Sequence, residues 1–157
     1  MKLFLVAITA LLVVSCSKPD KEMILGEWHF SRVADDKSVK ISDVPAEQEE
    51  IINRTLKEMG QQLAMMNMTE ATFRRDIKKD MDVTLKTTFK FDAKNVTVAS
   101  NNPQNPSSNK SAYKLDAEKK QITIIDKTIE IVYKYELTAD KLVFKDTKSK
   151  YIIEFKR

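Results

Sequence analysis

From Val83 to the C-terminus, apolar and polar residues alternate almost without relief, and this restricts the possible folds more than any other feature. In "VTLKTTFKF", Val83, Leu85, Thr87, Phe89 and Phe91 fall on one face, and Thr84, Lys86, Thr88 and Lys90 on the other. "EIVYKYEL" sets Ile131, Tyr133, Tyr135 and Leu137 against Glu130, Val132, Lys134 and Glu136. A period of two with one apolar face is the pattern of a strand buried on one side. Short polar turns, "DAKN", "AEKK" and "TADK", separate "VTVAS", "QITIID" and "LVFKD" from the strands before them, and "SAYKLD" and "KYIIEFKR" complete the set. The Pro- and Asn-rich "NNPQNPSSN" reads as a loop. Upstream, "MILGEWHFSRV" is a further strand, with Trp28 and Phe30 on one face and Glu27, His29 and Ser31 on the other. Short strands joined by short turns, with no strand–helix–strand alternation, predict a mainly β fold. The expected architecture is an eight-stranded antiparallel up-and-down barrel.

Between the first and second of these strands the period changes. Ile52, Leu56, Met59, Leu63 and Met66 follow alternating spacings of four and three, the apolar stripe of an amphipathic helix. Asp43 is placed to cap its start, and Pro45 is tolerated in a first turn. Thr69 reads as a second N-cap, with Met68 and Phe73 where a hydrophobic staple packs. The spacing predicts helices near 45–67 and 70–80, separate or merged, within an insertion over 44–81. In an up-and-down barrel the first strand runs toward the mouth, so the insertion emerges there beside the loop near 100–110. The expectation is that Met59, Leu63 and Met66 lie over the opening as a lid, methionine adapting to irregular apolar partners; packing on the barrel flank is the alternative.

The N-terminus carries a different kind of information. Lys2 precedes an apolar run from Leu3 to Val14, which Ser15 and Cys16 end abruptly before "SKPD". The run is too short for an ordinary membrane-spanning helix and fits a secretory signal peptide. Val13-Val14-Ser15-Cys16 resembles the lipobox of bacterial lipoproteins. That resemblance implies cleavage between Ser15 and Cys16, a diacylglycerol on the Cys16 thiol and acylation of the new amine. Two or more chains give a stable anchor where one does not. Ser17 in place of Asp implies the outer membrane, and Lys18, Asp20 and Glu22 leave open whether the protein faces the periplasm or the exterior. The chain then divides into a signal peptide (1–15), a polar tether (16–23) and one domain (24–157). Cys16 is the single cysteine, so no disulfide is available to the mature fold.

Gly26 and Trp28 open the first strand, and Arg157 ends the last, sharing a face with Tyr151, Ile153 and Phe155. When an even-stranded meander closes, the start of the first strand lies beside the end of the last. Arg157 is then expected over the Trp28 indole, a cation–π contact worth about 0.5–2 kcal/mol, with Gly26 admitting a close backbone approach at the corner. These residues and the strand layout resemble the lipocalin-like (calycin) domains of bacterial lipoproteins. The helical stretch 44–81 departs from the usual lipocalin first connection.

Function is bounded mainly by exclusion. His29 is the only histidine and alternates with Trp28, which places it outward. There is no G-x-S-x-G, no cysteine–histidine pair and no metal-ligand spacing, and two glycines give little scope for a phosphate cradle. Glu47, Glu49 and Glu50 suit a helix start better than a carboxylate pair. Lys/Arg 27 against Asp/Glu 23, interleaved throughout, form no basic stripe for nucleic acid. The expectation is a non-catalytic protein without metal or cofactor. Two classes stay open. In the first, which the lipocalin-like resemblance favours as the leading reading, Phe30, Phe89, Phe91, Tyr133, Tyr135, Phe144, Tyr151 and Phe155 line a cavity for a small hydrophobic compound. In the second, the same side chains fill the barrel, which serves as an interaction module for an envelope protein or an external enzyme.

Overall fold

The alternating residues pair in sequence order, each strand antiparallel to the next, until the last returns to the first. The computed structural model describes residues 19–103 and 106–157. The expected signal peptide, the cleavage expected between Ser15 and Cys16, and the first residues of the expected tether lie outside the described residues. Elements follow as α1 (Asp20–Met23), β1 (Gly26–Ala34), β2 (Val39–Ser42), α2 (Pro45–Met65), α3 (Glu70–Leu85), β3 (Thr87–Phe91), β4 (Asn95–Ser100), β5 (Ser107–Asp116), β6 (Gln121–Asp126), β7 (Ile129–Leu137), β8 (Lys141–Asp146) and β9 (Ile152–Lys156). β1 and β3–β9 form a closed eight-stranded antiparallel barrel, with β1 and β9 zipped through the pairs Phe30–Phe155 and Val33–Ile153. Closure leaves no long unpaired edge. The apolar face points inward, while Lys90, Lys114, Lys134 and Glu136 stand exposed on the outside. That arrangement is the reverse of a lipid-facing barrel wall.

Four local departures from the sequence expectation have physical causes. Val83 and Leu85 belong to α3 rather than to a strand, because Phe73, Ile77, Met81 and Leu85 recur every four residues and extend the helical stripe. Ser107–Lys110 is strand rather than loop: these residues pair with Thr97–Ser100 through the backbone. Their polar, exposed side chains carry no apolar alternation to announce it. Asp43 does not cap α2; Val44 holds that position without a side-chain bond, and Asp43 pairs with Lys156 at 2.9 Å. Finally β2, a short ninth strand, pairs with β1 at Arg32–Ala34, on the side that β3 covers only as far as His29.

A bulge at Ser31 sets the direction of everything that follows it. Phe30 faces Phe155, but the next paired residue is Arg32, opposite Glu154, so Ser31 is the extra residue. Its hydroxyl donates to the Glu154 carbonyl at 3.0 Å and its own carbonyl accepts from Asp43 N–H at 2.9 Å. Beyond the bulge Val33 points inward, and Arg32 and Ala34 outward. Val39, opposite Ala34, therefore also faces out, and there it packs with Ile51, Ile52, Leu56, Ile77 and Met81. The helices thus dock on the outer face of β1 and β2.

The helices remain two. Asn67 takes a left-handed conformation (φ 51°), with Met68 N–H bonded to the Leu63 carbonyl and Asn67 N–H to that of Ala64. This is a Schellman ending, with Asn in the place glycine usually fills. Thr69 then caps α3, its hydroxyl accepting from Thr72 N–H at 3.2 Å.

Candidate functional site

The closed end of the barrel is built by the residues flanking Trp28. Trp28 is fully buried, and its indole N–H donates to the Ile24 carbonyl at 2.8 Å. Ile24, equally buried, plugs the barrel floor. The Arg157 guanidinium lies over the Trp28 ring, 4.3 Å from its centroid, and donates to the carbonyls of Met23, Leu25 (2.8 Å) and Ala139 (3.1 Å). Gly26 makes the turn into β1 at φ +110°. A Cβ there would meet nothing within 4 Å, so backbone conformation rather than close approach selects glycine. α1 is latched by Asp20, which accepts from Lys120 at 2.6 Å and from the Tyr135 hydroxyl. Burial pushes the Asp20 carboxyl up, but the bonds from Lys120 and Tyr135 and the Lys120 charge outweigh it and hold it below the usual carboxylate value. Burial, and then the bond to Asp20, push the Tyr135 phenol up.

Inside the barrel the predicted cavity residues meet one another. Phe144 packs against Phe91, Tyr133 and Phe155 with centroids 6.3, 5.3 and 5.3 Å away; Phe155 also meets Phe30 and Phe89 at 5.9 and 4.7 Å. Most of these pairs are edge-to-face, the geometry that aromatic quadrupoles favour. Tyr135 is buried in the same cluster, with Val96, Ile122 and Leu142 filling between. Seven of the eight residues expected to line a cavity pack against one another in this cluster. Tyr151 is the exception: it precedes β9 and is 42% exposed, so it is no part of the interior.

Three clefts lie elsewhere on the described residues, and none of the three is lined by Phe30, Phe89, Tyr133, Phe144 or Phe155. One, about 460 Å³, is an open groove between α2 and α3 with Leu56, Gly60, Leu63 and Met68 along it. A second, about 340 Å³, sits at the closed end beside Lys21, Leu25, Tyr113 and Lys114. A third, about 380 Å³, lies where β2 meets α2.

The lid expectation is corrected by where α2 sits. Its apolar stripe is satisfied by α3 and by the outer face of β2, so Leu63 is buried within the hairpin, Met59 is half-buried and Met66 is exposed. Met65 beside it is 79% exposed. Polar contacts fix the hairpin to the barrel. Arg32 donates to Glu47 on α2 at 3.1 Å and to Glu154 on β9 at 3.0 Å, and Lys141 meets the other Glu154 oxygen at 2.6 Å. Gln48 donates to the Ser42 carbonyl at 2.9 Å, and Arg54 to that of Val39. The bond from Ser42, and then Arg32 against an opposing burial effect, hold the Glu47 carboxyl down. Burial raises Glu154, but Lys141 and Arg32 together bring it below its usual value.

Sequence reasoning missed this Arg32–Glu47–Glu154 bridge and the Asp20 latch, since each joins residues more than a hundred positions apart at one of its contacts. His29 is outward and exposed, 3.8 Å from Glu27. Among the described residues no three His, Cys, Asp or Glu side chains gather where a metal ion could sit, and no helix is long and apolar enough to cross a membrane.

No protein-family model matches the chain, and no curated protein matches it. Among solved structures, the crystal structure of a DUF4847 family protein from Bacteroides vulgatus aligns over 83% of this chain and 91% of its own. The TM-score is 0.51 and the sequence identity 13%. The likeness is one of fold. At that identity it speaks for a shared barrel and leaves residue roles to this chain's own geometry.

Proposed function

We propose that this chain is a lipid-anchored lipoprotein of the bacterial outer membrane whose lipocalin-like barrel is a filled, non-catalytic scaffold for protein interaction. The carrying observation is the packed interior: Phe144 and Phe155 are 1% and 0% exposed at the centre of a continuous ring cluster. A carrier of hydrophobic compounds needs a preformed cavity of some hundreds of cubic ångströms, and the mutual packing of the inward rings speaks against one. Apolar surface is instead displayed on the outside, at the hairpin tip, where Met65 and Met66 are 79% and 59% exposed. Flexible thioether side chains suit a surface that adapts to a protein partner. The anchoring half of the reading rests on the likeness of Val13-Val14-Ser15-Cys16 to a lipobox.

A photo-crosslinking amino acid at Met66, compared with one at Thr97 on the barrel wall, tests the interaction half in the native envelope. A discrete protein adduct from position 66 and none from position 97 is expected. Absence of any adduct, together with a hydrophobic compound released in stoichiometric amount from gently purified protein, would instead favour the carrier.

A further inference from the structure

We propose that the closed end of the barrel is a membrane-contact face, so that the mouth and the helical hairpin point away from the bilayer. This rests on the Cys16 anchor put forward above and adds which surface the anchor brings to the lipid. Only Ser17 and Lys18 separate Cys16 from Pro19. Three residue steps span about 10 Å when fully extended.

From Pro19 onward the chain is held to the barrel floor. Asp20 is tied to Lys120 and Tyr135, Ile24 is buried under Trp28, and Arg157 grips the Met23 and Leu25 carbonyls. The nine residues of β1 climb about 30 Å at strand rise, less when tilted. A tether of about a third of that length brings the floor to the headgroups and leaves the mouth out of reach unless the barrel tips over.

The floor has chemistry suited to that contact. The closed-end cleft is lined by Leu25, 39% exposed, by the half-buried Tyr113 and Leu115, and by Lys21 and Lys114. Tyrosine and leucine seat well at the headgroup level, and a lysine near an anionic surface adds about 1 kcal/mol. The Tyr113 hydroxyl is turned back to the Asp92 carbonyl at 2.8 Å, which fixes the ring at the cleft wall.

The test uses full-length protein, lipidated in a bacterial host and reconstituted into phosphatidylethanolamine–phosphatidylglycerol vesicles carrying a nickel-chelating lipid. Nitroxide labels are attached at Ala93→Cys on the floor and Thr128→Cys at the mouth. Nickel at the headgroups is expected to relax the Ala93 label severalfold more than the Thr128 label. Equal relaxation, or stronger relaxation at Thr128, overturns the orientation even where the anchor stands. Intact mass without acyl chains on Cys16, and no loss of membrane association in Cys16→Ala, overturns the anchor itself. Leu25→Ser combined with Lys114→Glu is expected to lower relaxation at Ala93 by about twofold; no change would assign the orientation to the tether alone and remove the cleft from it.

Discussion

Phe144 in the barrel and Ile52 in the hairpin are equally hidden from water, yet they are hidden by different means. Phe144 sits inside the barrel, and its neighbours Tyr133 and Phe155 come from the adjoining strands β7 and β9, with Phe91 from the distant β3. Ile52 lies in a cluster of three buried residues, Ile51, Ile52 and Met81, supported from one side by the outer face of β2. The two clusters share no member. Beyond the packing on Val39, the hairpin is held to the sheet by polar contacts near the surface: Arg32 with Glu47 and Glu154, Gln48 with the Ser42 carbonyl, and Arg54 with that of Val39. The barrel is therefore the cooperative unit, and the hairpin is an attachment whose opening need not unfold it.

The largest expected effect is at the barrel centre. Phe144→Ala should cost about 3–5 kcal/mol and lower the denaturation midpoint of the whole molecule, read by the fluorescence of the single Trp28. A smaller loss would show that the ring cluster is not the source of cohesion. Ile52→Ala should cost about 2–4 kcal/mol, but its cost should fall on the hairpin. Hydrogen exchange should quicken in α2 and α3 while amides of β6–β8 keep their protection. Uniform acceleration across both regions would dissolve the distinction.

At the floor, Arg157→Lys keeps the charge but loses the planar fork that reaches three carbonyls and covers an indole. A loss of about 1–2 kcal/mol is expected, with Trp28 emission shifting to the red as water reaches the ring. An unchanged spectrum would mean that Ile24 alone seals the floor. The smallest effect is on pH. Glu47 and Glu154 both titrate below their ordinary values, so folding gains from them above the unfolded glutamate value of about 4.3 and loses that gain as the pH falls through the depressed values. Acid should therefore expose the hairpin to an acid-active protease before the Trp28 signal of the barrel changes. Simultaneous loss of both would contradict the division.

The barrel was legible in the sequence because most of its walls are made of alternation, which leaves a trace in every strand from Phe89 to Phe155 except the polar start of β5 at Ser107–Lys110. The meeting of Trp28 with Arg157 follows from strand parity and an even strand count. The position of the hairpin was not legible, and the reason is Ser31. One extra residue in β1 turns Arg32 and Ala34 outward, and with them Val39, so the helices find their apolar partner on the flank and not at the mouth. Nothing in "HFSRVA" distinguishes a bulged strand from a regular one. Whether the inward aromatics line a cavity or fill one depends on how rings interlock across strands, which no single-strand pattern encodes. The proposed lipidation of Cys16 is the opposite case, since it rests on the likeness of four consecutive residues to a lipobox and not on the fold.

The proposed filled interior can be tested with Trp28 itself, since it stands at the barrel floor within energy-transfer range of any ligand bound inside. Titration of the full-length protein with cis-parinaric acid, a fluorescent fatty acid, should give only weak, non-saturating quenching of Trp28 and no transferred emission. Saturable quenching at one equivalent, abolished by competing fatty acid, would mean that the rings part to admit a ligand and that the barrel is a carrier.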